Sequence, residues 1–219
     1  MLFDMDGTLV DSEKLWDVAL HELAEHYGGR LSEPARTAMI GSSMASSMAI
    51  LNTDLGQDRD PGYGAAWLEK RMAELFLAGL PWRPGAVGLL ELVRAAGIPT
   101  ALVTSTARQL VEIALETLGR DRFDVVVCGD EVLATKPDPE PYLTAARLLG
   151  VPIERCVAIE DSPAGVASAV AAGAAVLAVP SEVALDRADG VHLLESLTGA
   201  DLDLLARLVA RLDLPRPAA

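Results

Sequence analysis

From Gly85 onward the chain alternates helical patterns with short apolar runs, and this alternation restricts the fold more than any other feature. Helical spacing over 86–96 precedes "PTALVT" (99–104), and 107–118 precedes "FDVVVC" (123–128). Spacing over 139–149 precedes "CVAIE" (156–160), and 163–172 precedes "AAVLAV" (174–179). A last helix is predicted over 201–212, and residues 2–5 read as a short opening strand. Near-continuous apolar strands separated by helices imply a parallel sheet covered on both faces. The predicted class is therefore α/β, a doubly wound, Rossmann-like parallel sheet.

Residues 13–83 show no strand pattern. Ser12 is placed to N-cap a helix with an apolar stripe at Leu15, Trp16, Ala19, Leu20, Leu23, Ala24 and Tyr27. Further helices are predicted over 32–39, 43–51 and 63–79. The expected division is a sheet core of residues 1–12 and 85–219, interrupted by an α-helical insert of residues 13–84. Met39, Met44 and Met48 read as packing inside the insert. The segments 10–14 and 80–86 are the expected hinges.

The formal net charge is −14. Nucleic acid and anionic membrane need a basic face, so neither is expected as a partner. An anionic substrate would need local positive charge from a metal, a lysine or helix N-termini. Cys128 and Cys156 lie in apolar runs and read as two reduced, buried thiols of a cytoplasmic protein. The acid at position 4 and the lack of a basic start argue against a signal peptide. The apolar stretch 163–180 is broken by Gly165 and Gly173, so it reads as helix, turn and strand rather than a membrane span.

In a parallel sheet ligands bind at the carboxyl ends of the strands. The first apolar run ends in "DMDGTLVDS", which puts Asp4, Asp6 and Asp11 within eleven residues. Clustered carboxylates repel one another and resist desolvation, so a cation is expected to offset them. Asp4 and Asp6 alternate along a strand and can face one site. In different environments such a pair can divide the tasks of nucleophile and proton donor. Glu160 and Asp161 end another run, and with Asp4 they make a hard oxygen site suited to Mg²⁺. Glu160 has three readings: a direct ligand, a ligand through water, or a support for Asp161. Ser162 and Pro163 read as N-cap and first residue of a helix.

Thr104 and Ser105 end the second run. Thr106 and Gln109 are spaced for a capping box at the next helix. Lys136 stands in "TKPDPEPY", where Pro137, Pro139 and Pro141 stiffen its presentation. A metal, a lysine, a hydroxyl and helix amides together make an anion site. Two aspartates beside it read as phosphoryl transfer through an acyl-phosphate.

These four segments, "DMDGTLVDS", "LVTST", the lysine of "KPDPEPY" and "IEDSPAG", resemble in order the motifs of the haloacid dehalogenase superfamily. The helical insert lies where that superfamily places its helical cap. Within it, the chain is most similar to the phosphoglycolate phosphatase and β-phosphoglucomutase-like branch. The resemblance implies that Asp4 is the nucleophile and that Asp6 protonates the leaving alcohol and then activates water. It implies Mg²⁺ held by Asp4, the Asp6 carbonyl and Asp161, with Glu160 nearby. Thr104 and Lys136 would bind the transferring phosphoryl group, beside Ser105. Only three residues precede Asp4, fewer than is usual in the superfamily; either the true start lies upstream or this copy is clipped, and in both cases the central strand is expected to begin short.

The expected function is hydrolysis of small phosphomonoesters such as sugar or polyol phosphates. The alternative is a sugar phosphomutase, which the small, nearly uncharged loop "IGSSMASS" (40–47) weakens. Trp16, in "DSEKLW", resembles a position of bacterial sugar and polyol phosphate phosphatases and is assigned to substrate binding; the competing reading is a core aromatic. A dehalogenase would lack Asp6, and a non-catalytic module would not need all four motifs. The expected partner is a small phosphorylated metabolite, and the expected state is a monomer or weak dimer.

Overall fold

A computed structural model describes residues 1–181, 183–185 and 190–212, with only the backbone at 211 and 212. Six parallel strands form one sheet: β1 (Leu2–Phe3), β2 (Ala101–Val103), β3 (Val125–Val127), β4 (Val157–Glu160), β5 (Ala175–Ala178) and β6 (Val191–Leu193). Their order is β3-β2-β1-β4-β5-β6, so β1 is central. The chain winds outward through β2 and β3, then returns to β4 on the other side of β1. The crevice between β1 and β4 is the switch point, where an open α/β sheet accepts ligands.

Alternate strand residues explain the two covered faces. Leu2, Ala101, Val103, Ala158, Val176 and Ala178 pack on α7 (Glu140–Leu149) and α8 (Pro163–Ala172). Phe3, Leu102, Val157, Ile159, Ala175 and Leu177 pack with residues of α5 (Ala86–Ala95), α6 (Arg108–Leu118) and α9 (Leu202–Leu212). The small residues on α8 (Ala169, Ala172) and the alanines of the strands allow this close approach with few aromatics. The doubly wound expectation holds.

Four helices lie between β1 and α5: α1 (Glu13–His26), α2 (Glu33–Met39), α3 (Met44–Asp54) and α4 (Pro61–Ala78). Leu20, Leu23, Met48, Leu51, Leu68, Met72 and Phe76 form their buried interior, which is continuous with the α5–α6 side of the sheet. The chain leaves and returns at one place. Val10 pairs antiparallel with Trp82, Asp11 N donates to Pro81 O at 2.8 Å, and Arg83 N donates to Leu9 O at 2.8 Å.

Several local expectations are corrected. The opening strand ends at Phe3, because the chain then folds into a tight loop in which Gly7 N donates to Val10 O. Helix α4 starts earlier than its apolar pattern, at Pro61, because Asp60 accepts from Gly62 N as its cap. Strand β6 escapes sequence reading because it is three half-buried residues, "VHL", at the sheet edge. Ser12 occupies the cap position of α1 but does not cap it, since its hydroxyl donates elsewhere. The Thr106–Gln109 capping box does not form: α6 begins after Ala107 without a side-chain cap. Ser162 does cap α8, accepting from Gly165 N. Among the described residues no helix is long and apolar enough to cross a membrane. Cys128 and Cys156 are buried and unbridged.

Candidate active site

Because Phe3 pairs with Ile159, the residue after β1, Asp4, and the last residue of β4, Glu160, emerge side by side at the switch point. Asp4 N still donates to Ile159 O at 3.0 Å, which fixes where its side chain starts. Asp161 follows Glu160, and oxygen atoms of Asp4, Glu160 and Asp161 lie within 4.8 Å of one another, all on buried residues. Gly7 makes room for this approach. Its φ is +75°, and a Cβ there would sit 2.0 Å from Asp161 Oδ2.

Lys136 reaches this cluster from the loop before α7. Its Nζ donates to Asp4 Oδ1 at 2.6 Å, Glu160 Oε1 at 2.6 Å and Val103 O at 2.9 Å. An ammonium has three donors, so all are engaged. Glu160 is wholly buried and saturated. Oε1 also accepts from Tyr142 OH at 2.5 Å, and Oε2 takes Asp161 N at 3.2 Å, with Ser162 beside it. A Cβ at Gly165 would lie 1.9 Å from Glu160 Oε1, so only glycine admits this carboxylate under α8.

One cation faces three carboxylates here, and the imbalance shows in the acidity of Asp4 and Asp161. Burial pushes the Asp4 carboxyl up to about 8; Lys136 opposes this, while Glu160 and Asp6 add to it. Burial likewise raises Asp161, reinforced by Asp4, Glu160 and Glu13 and opposed by the Thr8 hydroxyl, which donates to Asp161 Oδ1 at 3.0 Å. Burial opposes the charge of Lys136, yet Asp4 and Glu160 outweigh it and hold its pKa above that of an ordinary lysine. Buried oxygen ligands with a deficit of positive charge fit a hard divalent ion such as Mg²⁺.

Asp6 has a different environment. Ser12 Oγ donates to its Oδ1 at 2.6 Å, and Trp16 Nε1 approaches the same atom at 3.4 Å. Thr104 Oγ1 donates to Oδ2 at 3.2 Å and Thr106 Oγ1 at 2.7 Å. Asp6 therefore joins the start of α1 to the end of β2. Its side chain is not among the clustered metal-type oxygens. Asp11, the third opening aspartate, lies away from the cluster, where its Oδ2 accepts from Lys14.

A cavity of about 400 Å³ opens over these groups. Asp4, Asp6, Thr104, Ser105, Lys136 and Asp161 line its floor, and Trp16 lines its wall. Glu160 is close by but beneath the surface. The hydroxyl of Thr104 is spent on Asp6 and also accepts from Thr106 N, whereas Ser105 Oγ has no hydrogen-bond partner among the described residues. Thr8, Ser12, Thr106 and Tyr142 were not assigned to the site from sequence. Thr8 could have been found from its place just after the Gly7 turn. Tyr142 could have been found as the one polar tip in the buried stripe of α7, which must find a partner.

A doubly wound sheet with this cluster at its switch point, roofed by helices inserted after β1, defines a hydrolase of the α/β class. The chain belongs to the haloacid dehalogenase-like hydrolases, whose family model matches residues 1–179. It is 34% identical over 202 residues to hexitol phosphatase A of Escherichia coli (strain K12), covering 90% of this chain and 92% of that one. It is 34% identical over 174 residues to the phosphorylated carbohydrates phosphatase of Thermotoga maritima, covering 79% and 81%. The crystal structure of a CbbY mutant from Rhodobacter sphaeroides with xylulose-(1,5)bisphosphate superimposes with a TM-score of 0.80 at 30% identity, covering 90% of this chain and 94% of that one.

Proposed function

We propose that this protein is a Mg²⁺-dependent phosphatase of small phosphomonoesters, with sugar or polyol phosphates as its substrate class and an aspartyl-phosphate intermediate. The supporting observation is the contrast between Asp4 and Asp6. Asp4 lies buried beside Lys136 and two further carboxylates, while Asp6 is held by hydroxyl and indole donors at the same cavity.

In this reading an oxygen of Asp4 bonds to phosphorus as the ester P–O bond breaks, and Asp6 gives its proton to the departing alkoxide. Asp6 then takes a proton from water as the water oxygen attacks phosphorus, which releases phosphate and restores Asp4. Mg²⁺, held by Asp4, the Asp6 carbonyl and Asp161, would supply charge neutralisation and orientation when bound. Glu160, with its oxygens already occupied, supports Asp161 and Lys136. Lys136 contributes charge; it donates to a phosphoryl oxygen only by releasing one of its three present acceptors. Ser105 has a free hydroxyl for that oxygen, and Thr104 positions Asp6. Trp16 packs against the leaving group.

Residues 13–84 act as a cap over a core of 1–12 and 85–219, and closure excludes water during transfer. Every group invoked comes from one chain, consistent with a monomer or weak dimer. The reading invokes no nucleic acid or membrane, and a cytoplasmic location is proposed with it, in keeping with the two unbridged cysteines. The phosphomutase alternative has less support, because the hexitol phosphatase and the phosphorylated carbohydrates phosphatase named above are hydrolases and residues 40–47 offer no cation to a second phosphate.

The test is Asp4→Asn. Mg²⁺-dependent hydrolysis of p-nitrophenyl phosphate should fall by more than about four orders of magnitude, as for loss of a nucleophile. A variant as active as the parent would refute the assignment.

A further inference from the structure

The wall that the inserted helices give the cavity carries a charge pattern that bears on which phosphate esters fit. Its ionisable groups are Glu13, Arg36 and Glu69, and the loop after β3 adds one more carboxylate to the cavity, Asp130. Arg36 is buried and committed: Nη2 donates to Glu13 Oε2 at 3.0 Å and Glu13 O at 3.1 Å, and Nε donates to Asp17 Oδ1 at 3.0 Å. Glu69, half-buried on α4, makes no hydrogen bond or ion pair among the described residues. So the one cation of this wall is neutralised, and a carboxylate is left open to the cavity. Around it the wall is apolar, formed by Trp16, Leu20, Met39, Met44 and Leu68.

We infer that Glu69 is a specificity-determining residue that admits leaving groups bearing hydroxyls and turns away those bearing a second phosphate. This rests on the phosphatase reading above and narrows its substrate class. A carboxylate is an acceptor only, so it matches hydroxyl donors on a polyol chain. The apolar wall suits the C–H faces of the same chain. A distal phosphate would meet Glu69 with no free cation on that wall, and like charges brought together in a partly desolvated site repel strongly.

The experiment measures kcat/KM with Mg²⁺ for a hexitol monophosphate, a ketopentose 1,5-bisphosphate and p-nitrophenyl phosphate. It compares the parent with Glu69→Lys and Glu69→Gln, with melting temperatures recorded for each. The parent should favour the hexitol monophosphate over the bisphosphate by at least about tenfold. Glu69→Lys should move that ratio at least about tenfold toward the bisphosphate. Glu69→Gln should move it less, while its amide oxygen keeps the preference for hexitol monophosphate over p-nitrophenyl phosphate; this isosteric change carries the test if Glu69→Lys melts early. A parent that favours the bisphosphate, or a ratio unmoved by both variants, overturns the inference while leaving the phosphatase reading intact. A parent that turns over none of the three esters overturns both.

Discussion

Lys136 Nζ lies 2.6 Å from Asp4 Oδ1, a buried ion pair between residues 132 positions apart in the chain. The same ammonium holds Glu160 at 2.6 Å. Replacing Lys136 by methionine keeps the bulk and strands two buried carboxylates. Breaking a buried pair in this way costs about 3–5 kcal/mol. The variant should melt well below the parent and lose phosphatase activity by at least about a hundredfold. Thermal denaturation and phosphate release would show it; equal stability would mean that the carboxylates have another counter-charge.

Metal dependence should change with pH, and the sign follows from Asp4. Its folded pKa is raised from 3.8 to about 8. The metal-free protein therefore has the associated stability in full below about pH 4 and loses it as pH rises through about 8. Added Mg²⁺ should raise the melting temperature more at pH 8 than at pH 5. At a hundred times its Kd the ion contributes about 2.7 kcal/mol. Asp161→Asn, which removes one of the repelling charges, should melt above the parent at pH 8 without metal and respond little to Mg²⁺. Scanning calorimetry with and without chelator decides this; a Mg²⁺ response as large in the variant as in the parent would remove Asp161 from the metal site.

Gly7→Ala should damage the site through Asp161. The added methyl would lie 2.0 Å from Asp161 Oδ2, on a backbone with φ +75°. The left-handed conformation alone costs about 1–2 kcal/mol for a residue with a Cβ. The Mg²⁺ concentration giving half-maximal activity should rise, and an unchanged value would show that Asp161 can move aside without consequence.

Tyr142→Phe deletes one hydroxyl, the donor to Glu160 Oε1 at 2.5 Å. Leaving a buried acceptor short of a partner costs about 1–3 kcal/mol. Urea denaturation should show a lower midpoint with the slope unchanged.

Ser105 and Thr104 should separate kinetically. Ser105→Ala removes the open hydroxyl and should chiefly raise KM for phosphate esters. Thr104→Val removes a donor to Asp6 Oδ2 and should chiefly lower kcat, each by about tenfold. Steady-state kinetics on p-nitrophenyl phosphate would separate them, and the reverse pattern would exchange the two roles.

Five of the six strands are legible in the sequence because buried parallel strands are written as apolar runs; their order in the sheet emerges only from the pairing. The convergence of Asp4, Lys136, Glu160 and Asp161 followed because strand ends share one edge. What escaped was set by tertiary contacts. Ser12 and Thr106 read as caps, since a hydroxyl before a helix usually bonds its amides; here Asp6 competes for both. Asp11 looked like part of the acid cluster, but the loop around Gly7 carries it to the Pro81 crossing. Strand β6 had too few residues to show a period. That Glu69 lines the cavity without a partner while Arg36 is neutralised could not be read without the packing of α1, α2 and α4.

The paired crossing at Leu9–Asp11 and Pro81–Arg83 makes the helical segment a graft with a single stem. Its two ends are hydrogen-bonded neighbours, so any replacement whose termini meet at the same spacing could be spliced there without shifting the register of β1 against β2 and β4. Bond-breaking machinery and choice of ester are thus separable inheritances, and a lineage could exchange the second while keeping the first.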